Sequence, residues 1–183
     1  MKEKKRYKSV RYFYLCVLML LLAVSSSSFY GCGSLSGYSN ESLYPQNVET
    51  VCLEMFENES FRRGVEYELS DALAKRIEAQ TPYKIVSSLD RADTVISGKI
   101  TSVTTSVLTA ERQTGRALEK EVGVVAVVNW KNLRTGELLI DNVSVDATAS
   151  FSEWQNQSFD YASTLAANKL AQRIVEQMEK SWQ

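Results

Sequence analysis

Histidine is absent from the 183 residues. That removes the commonest general base and the commonest metal ligand. It also excludes any Ser-His-Asp or Cys-His catalytic set. Cysteine is scarce: the three are Cys16, Cys32 and Cys52. No CxxC pair, glycine-rich phosphate loop or EF-hand pattern occurs. The two prolines are Pro45 and Pro82. Glycine numbers eight, and Gly98 and Gly123 stand alone in β-patterned segments, where glycine marks close packing or a bulge. Charge of one sign is lacking too, with a formal net of −1. Together these absences predict a protein that is not an enzyme and carries neither cofactor nor metal.

The charge balance hides an asymmetry. Lys2, Lys4, Lys5, Arg6, Lys8 and Arg11 crowd the first eleven positions against Glu3 alone. From Cys32 onward, 15 basic residues face 21 acidic ones, a net of −6. A globally basic nucleic-acid surface is thereby excluded, and no nucleic-acid partner is expected. The basic segment leads into the apolar run "YFYLCVLMLLLAV", Tyr12 to Val24. At about thirteen residues it is shorter than the ~20 that span a bilayer. Four serines and Gly31 follow, which completes the order of a secretory signal peptide. An uncleaved N-terminal anchor is the alternative reading of that run.

"FYGC" resembles a bacterial lipobox, in which a thiol is acylated after cleavage beside a small residue. Gly31 and Cys32 satisfy that chemistry. Phe29 and Tyr30 depart from it, because an aliphatic and a smaller residue usually stand there. Ordinary signal peptidase cleavage is therefore the rival reading. Several acyl chains on Cys32 would anchor durably, at about 0.8 kcal/mol per buried CH₂. The expected organisation is a signal peptide over 1–31, a lipidated tether over 32–47 and one domain over 48–183. Cys52, left without a partner, reads as a small hydrophobe on a strand.

The composition is 44% hydrophobic and 23% charged, enough for one core. Alternation of Val51, Leu53 and Met55 predicts a strand. Val65, Leu69, Ala72, Leu73 and Ile77 fall on one helical face, and Pro82 stops that helix. "YKIVS" is a short strand, and "DRAD" is the turn out of it. In "TVISGKITSVTTSVLT" the apolar phase changes between Ile100 and Val103, so a bulge near Thr101 is expected. "VGVVAVVNW" is apolar on both faces, as an interior strand is. "NLRTGE" turns the chain into the alternating strand "LLIDNVSVDATASF". A closing helix is expected from about Tyr161 to Ser181, with Ala167, Leu170, Ala171, Ile174 and Met178 inward and Trp182 at its end. The order predicts an α/β two-layer sandwich: a mixed four- to five-stranded sheet with two helices packed on one face.

Three basic sets could meet anions. They are Arg62 with Arg63, Lys131 with Arg134, and Arg112, Arg116 and Lys120 in or beside the "AERQTGRALEKE" loop. Taken alone, each is more simply a solvated loop charge. The third set is the preferred candidate, because it sits on a loop held by a rigid strand.

"GCGSLSGYS", "VETVCLEMFEN", "FRRGVE", "T-x-Y" and "AD" before a glycine-bearing strand occur here in an order that resembles the LptE family of lipopolysaccharide-assembly lipoproteins. The similarity covers most of residues 31–100 and continues through "VNWKNLRTGELL" and the final helix. The resemblance implies a non-enzymatic outer-membrane lipoprotein on the periplasmic side, lipidated at Cys32. It implies a protein that plugs the LptD β-barrel, supports its assembly and helps pass lipopolysaccharide to the cell surface. Lipopolysaccharide contacts by Arg112, Arg116 and Lys120 are the expectation for the site. The same order is also similar to LpoB-type activators of cell-wall synthases and to CsgG-like secretion lipoproteins, which form the alternative reading.

Overall fold

A computed structural model describes residues 43–179. The signal segment, Cys32, Ser181 and Trp182 lie outside the described residues. The elements are β1 (Thr50–Leu53), β2 (Glu57–Asn58), α1 (Val65–Gln80), β3 (Lys84–Val86), β4 (Thr94–Ala110), β5 (Ala117–Asn132), β6 (Leu138–Phe151) and α2 (Phe159–Gln177). The main path of the sheet runs β3-β1-β4-β5-β6, and β2 pairs with β4 beyond the end of β1. Pairing is parallel among β1, β3 and β4 and antiparallel from β4 to β6. The expected two-layer α/β sandwich is what the chain forms, with the two-residue β2 added to five longer strands.

The α1 stripe is the one the sequence spacing gives: Val65, Leu69, Ala72, Leu73 and Ile77 are all buried. α2 buries Ala166, Ala167, Leu170, Ala171, Ile174 and Val175 against the same face of the sheet. It starts two residues before the expected Tyr161 because Ser158 caps it, its Oγ accepting from the Tyr161 N–H at 3.2 Å. From the sheet, Ile96, Val122, Val124, Ala126, Trp130 and Ala147 complete the core. β5 is interior, between β4 and β6.

Bulges correct one sequence expectation and account for another. Leu53 pairs with Ile96 and Glu57 with Lys99, so four steps along one strand match three along β4. The extra residue reverses the inward parity. Met55, expected inward, is therefore 56% exposed, and Phe56 is buried instead. In β4 the register shifts between Ile100 and Ser102, which face Ala126 and Val125. Thr101 is the unpaired residue, and its Oγ1 donates to the Val125 carbonyl at 3.3 Å. This carries the inward set from Ile96 and Ile100 over to Val103.

Of the segments that carried the family resemblance, "GCGSLSGYS" lies outside the described residues, and the stretch from Asn58 to Glu66 is scaffold. Asn58 Nδ2 donates to the Arg62 carbonyl at 2.7 Å and to Glu66 Oε2 at 2.5 Å. Glu66 also accepts from the Gly64 N–H at 2.9 Å. Burial pushes the Glu66 carboxyl up, but these hydrogen bonds and Arg63 outweigh it and hold the group below its usual range. Gly64 caps the helix at φ 100°, a left-handed conformation that side chains resist. Cys52 is buried, as its reading as a small hydrophobe requires, and burial pushes its thiol pKa up.

Candidate functional site

β4 and β5 form a hairpin that outruns the rest of the sheet. β6 ends at Phe151, opposite Lys120, and β4 is exposed from Thr104 to Ala110. The hairpin loop is tied at its base, where the Glu111 N–H donates to the Arg116 carbonyl at 2.8 Å. Gly115, at φ 70°, lets the chain turn back.

Two of the three basic residues of the preferred set are brought together. Lys120 Nζ lies 2.6 Å from Glu153 Oε1. The Arg116 guanidinium stacks 4.0 Å from the centre of the Trp154 ring. Glu153 and Trp154 belong to a 3-10 turn, Glu153–Gln155, between β6 and α2. The Lys120 hydrogen bond and charge, with Arg116 adding to them, hold the Glu153 carboxyl below its usual range. The turn is fixed to β5 by Ser152, whose Oγ donates to the Leu118 carbonyl at 2.8 Å. Arg112 stands apart, exposed at the loop tip and without an ion pair among the described residues.

An open groove of about 420 Å³ lies beside this cluster, between Thr109, Leu118, Ser150, Ser152, Gln155 and Gln157. Its walls offer hydroxyl and amide groups together with the Glu119 side chain and the Phe151 ring. Stacking on Trp154 uses the face of the Arg116 guanidinium and leaves its N–H fork for an anion. Such a fork matches the paired oxygens of a carboxylate or a phosphate. Sequence reading passed over Glu153 and Trp154. Lys120 and Glu153 are 33 positions apart, and nothing in either local segment marks the pairing.

The other basic sets go elsewhere. Arg62 lies 4.5 Å from the Phe159 ring centre, so it joins the β2–α1 loop to the start of α2. Arg134 pairs with Asp93 at the opposite end of the sheet, and Lys131 is exposed. No metal-binding group of acidic or cysteine side chains occurs among the described residues. No described helix is long and apolar enough to cross a membrane.

The family model for LptE, lipopolysaccharide-assembly, matches residues 48–179. The chain belongs to the LptE family. That family is one of non-catalytic lipopolysaccharide-assembly lipoproteins. No curated protein matches the sequence. Among solved structures, uncharacterized lipoprotein B from Nitrosomonas europaea is similar with a TM-score of 0.54 at 14% identity, over 78% of this chain and 90% of that one. The hypothetical protein CT253 from Chlamydia trachomatis is similar with a TM-score of 0.51 at 14% identity, over 70% of this chain and 94% of that one. At such identity the likeness is one of fold, and it extends to the two-layer arrangement of this LptE-family chain.

Proposed function

We propose that this LptE-family protein is an outer-membrane lipoprotein that plugs an LptD-type β-barrel, supports its assembly and assists lipopolysaccharide transport to the cell surface. The match over residues 48–179 carries the reading. Residues 1–31 are the signal peptide, Cys32 is the acylated N-terminus of the mature chain, and 32–47 are the tether. Affinity purification from detergent extracts tests the partnership. A large outer-membrane barrel should co-purify in stable complex. Recovery of a cell-wall synthase and no barrel would overturn the reading. Mass spectrometry of the mature N-terminus should find Cys32 acylated, and an unmodified N-terminus at another position would refute the anchor.

The hairpin cluster supplies the lipopolysaccharide contacts in this proposal, with Arg116 and Lys120 beside the groove and Arg112 at the tip. Changing all three to Ala is expected to weaken lipopolysaccharide binding about tenfold and to flatten its salt dependence, because exposed charges act through screened attraction. Titration of the purified chain with lipopolysaccharide at two salt concentrations reads both effects. Unchanged affinity would return the three residues to the role of solvated loop charges.

A further inference from the structure

The two long free edges of the sheet are treated in opposite ways. A strand edge presents unpaired N–H and C=O groups, a template for another strand, and proteins blunt such edges with charge or cover. β6 is blunted. Lys169, from α2, donates to the Thr148 carbonyl at 2.9 Å. Arg173, one turn on, donates to the Asp146 carbonyl and reaches the Asp146 carboxylate at 3.2 Å. Asp141 and Asp146 add charge along that strand. β3 presents only three residues.

β4 lacks that cover and charge, and its bulges at Thr101 and Leu108 leave a regular run, Ser102 to Val107, between them. β1 pairs with β4 from Thr94 to Ile96 and β2 at Lys99 and Ile100. From Thr101 to Ala110 the β1 side of β4 has no strand partner among the described residues. Those ten residues, "TSVTTSVLTA", contain no charge, proline or glycine. They are rich in β-branched side chains, which suit a paired strand. Val107 is 56% exposed and Leu108 49%.

We propose that this edge is an interface for a second copy of the chain, the two β4 strands pairing antiparallel about a two-fold axis through Thr105. In that register Thr105 faces itself, Val103 faces Val107 and Thr104 faces Ser106, so β-branched and hydroxyl residues meet in kind and no like charges collide. The same operation on β6 about Asp146 would set two carboxylates opposite each other, as well as displacing Lys169 and Arg173. The chain's own tether is the less suited occupant. It enters the fold at Tyr44 and Pro45, held by Tyr83, whose hydroxyl donates to the Pro45 carbonyl at 3.1 Å, and it leads into the start of β1, away from the hairpin. A single strand edge buries little area, so the dimer is a weak one that forms with concentration.

Sedimentation velocity of the full chain in detergent, across the micromolar range, tests this. A concentration-dependent dimer is expected. Thr105→Lys places two ammonium groups face to face and should raise the dissociation constant at least about tenfold, whereas Ser144→Lys on β6 should leave it unchanged. Under mild oxidation Thr105→Cys should give disulfide-linked dimer above the level of the parent chain, since directly opposed Cα atoms lie within disulfide reach. Ser144→Cys should not. A monomer at every concentration, whether the edge is empty, covered by the tether or kept for a different protein's strand, overturns the proposal. So does a dimer that Thr105→Lys leaves intact, or equal cross-linking at the two positions.

Discussion

Gly98→Ala is expected to destabilise the domain by about 3 kcal/mol, at the upper end of what one added methyl group costs in a packed core. A Cβ at this position would lie 2.4 Å from the Val127 carbonyl oxygen and 2.6 Å from Cε1 of Phe56. The first contact is backbone in the central β4–β5 pairing, and it moves only if the hydrogen-bonded ladder moves. The second is a ring that is 1% exposed, so it has nowhere to turn. Gly123→Ala is the control. Its Cβ would meet Thr104 Oγ1 at 3.1 Å and Thr148 Cγ2 at 3.7 Å, and both are side-chain atoms on exposed residues. That variant should lose at most about 1 kcal/mol, since surface side chains adjust cheaply. Urea unfolding reads the difference as a large shift in midpoint for Gly98→Ala at unchanged slope. Equal midpoints for the two variants would refute the assignment of Gly98 as the seat of the Phe56 ring.

This packing shows what was legible in the sequence. Gly98 is recognisable there as a glycine of close packing or a bulge, and the structure decides for close packing. The residue that fills its space is not recognisable in the sequence. Phe56 follows Met55, and simple alternation makes Met55 the inward residue. The extra residue between β1 and β2 reverses that choice, and only the pairing with β4 reveals it. The bulge at Thr101 was legible because the apolar residues change parity on both sides of it within one strand. The helical stripes were legible for the same reason, since each is a periodic signal carried entirely by local sequence.

The candidate site was legible by half. Arg112, Arg116 and Lys120 stand out as charges on a loop between strongly β-patterned segments. Their separation into a tip residue and a pair bound to Glu153 and Trp154 was not, because β5 meets the turn after β6 only once the sheet is assembled. The consequence is chemical. Lys120 is already engaged by a carboxylate at 2.6 Å, so an incoming phosphate must compete with Glu153 for it. Arg116 meets no such competition from a hydrogen-bonded anion among the described residues, which makes it the stronger single contact in the proposed lipopolysaccharide site.

Asp93→Ala is expected to cost about 3 kcal/mol at neutral pH, because it leaves two backbone donors without their charged acceptor. "DRAD" reads as a turn, yet the second aspartate in it also does a different job. Asp93 Oδ2 accepts from the Glu49 N–H at 2.9 Å and from the Thr50 N–H at 3.0 Å, and Oδ1 accepts from Arg134 in the β5–β6 turn. One carboxylate thus fixes the start of β1, where the tether enters the fold, to the turn at the far side of β5. The Glu49 hydrogen bond leads in holding the Asp93 carboxyl below the usual range, burial opposes it, and Thr50 and Arg134 add to the lowering. A lowered carboxyl pKa contributes stability that is complete above the unfolded value of about 3.9 and disappears as pH falls through the folded value. Asp93→Asn isolates that contribution, since it keeps the size and one acceptor oxygen and loses the charge. The stability gap between the parent chain and the Asp93→Asn variant should be widest above about pH 5 and should close only as pH falls through the lowered folded value, where the parent carboxyl takes up its proton. Other carboxylates are common to both proteins and cancel in the comparison. A gap that stays constant from neutral to acid pH in urea unfolding would show that the Asp93 charge does not hold β1 in place.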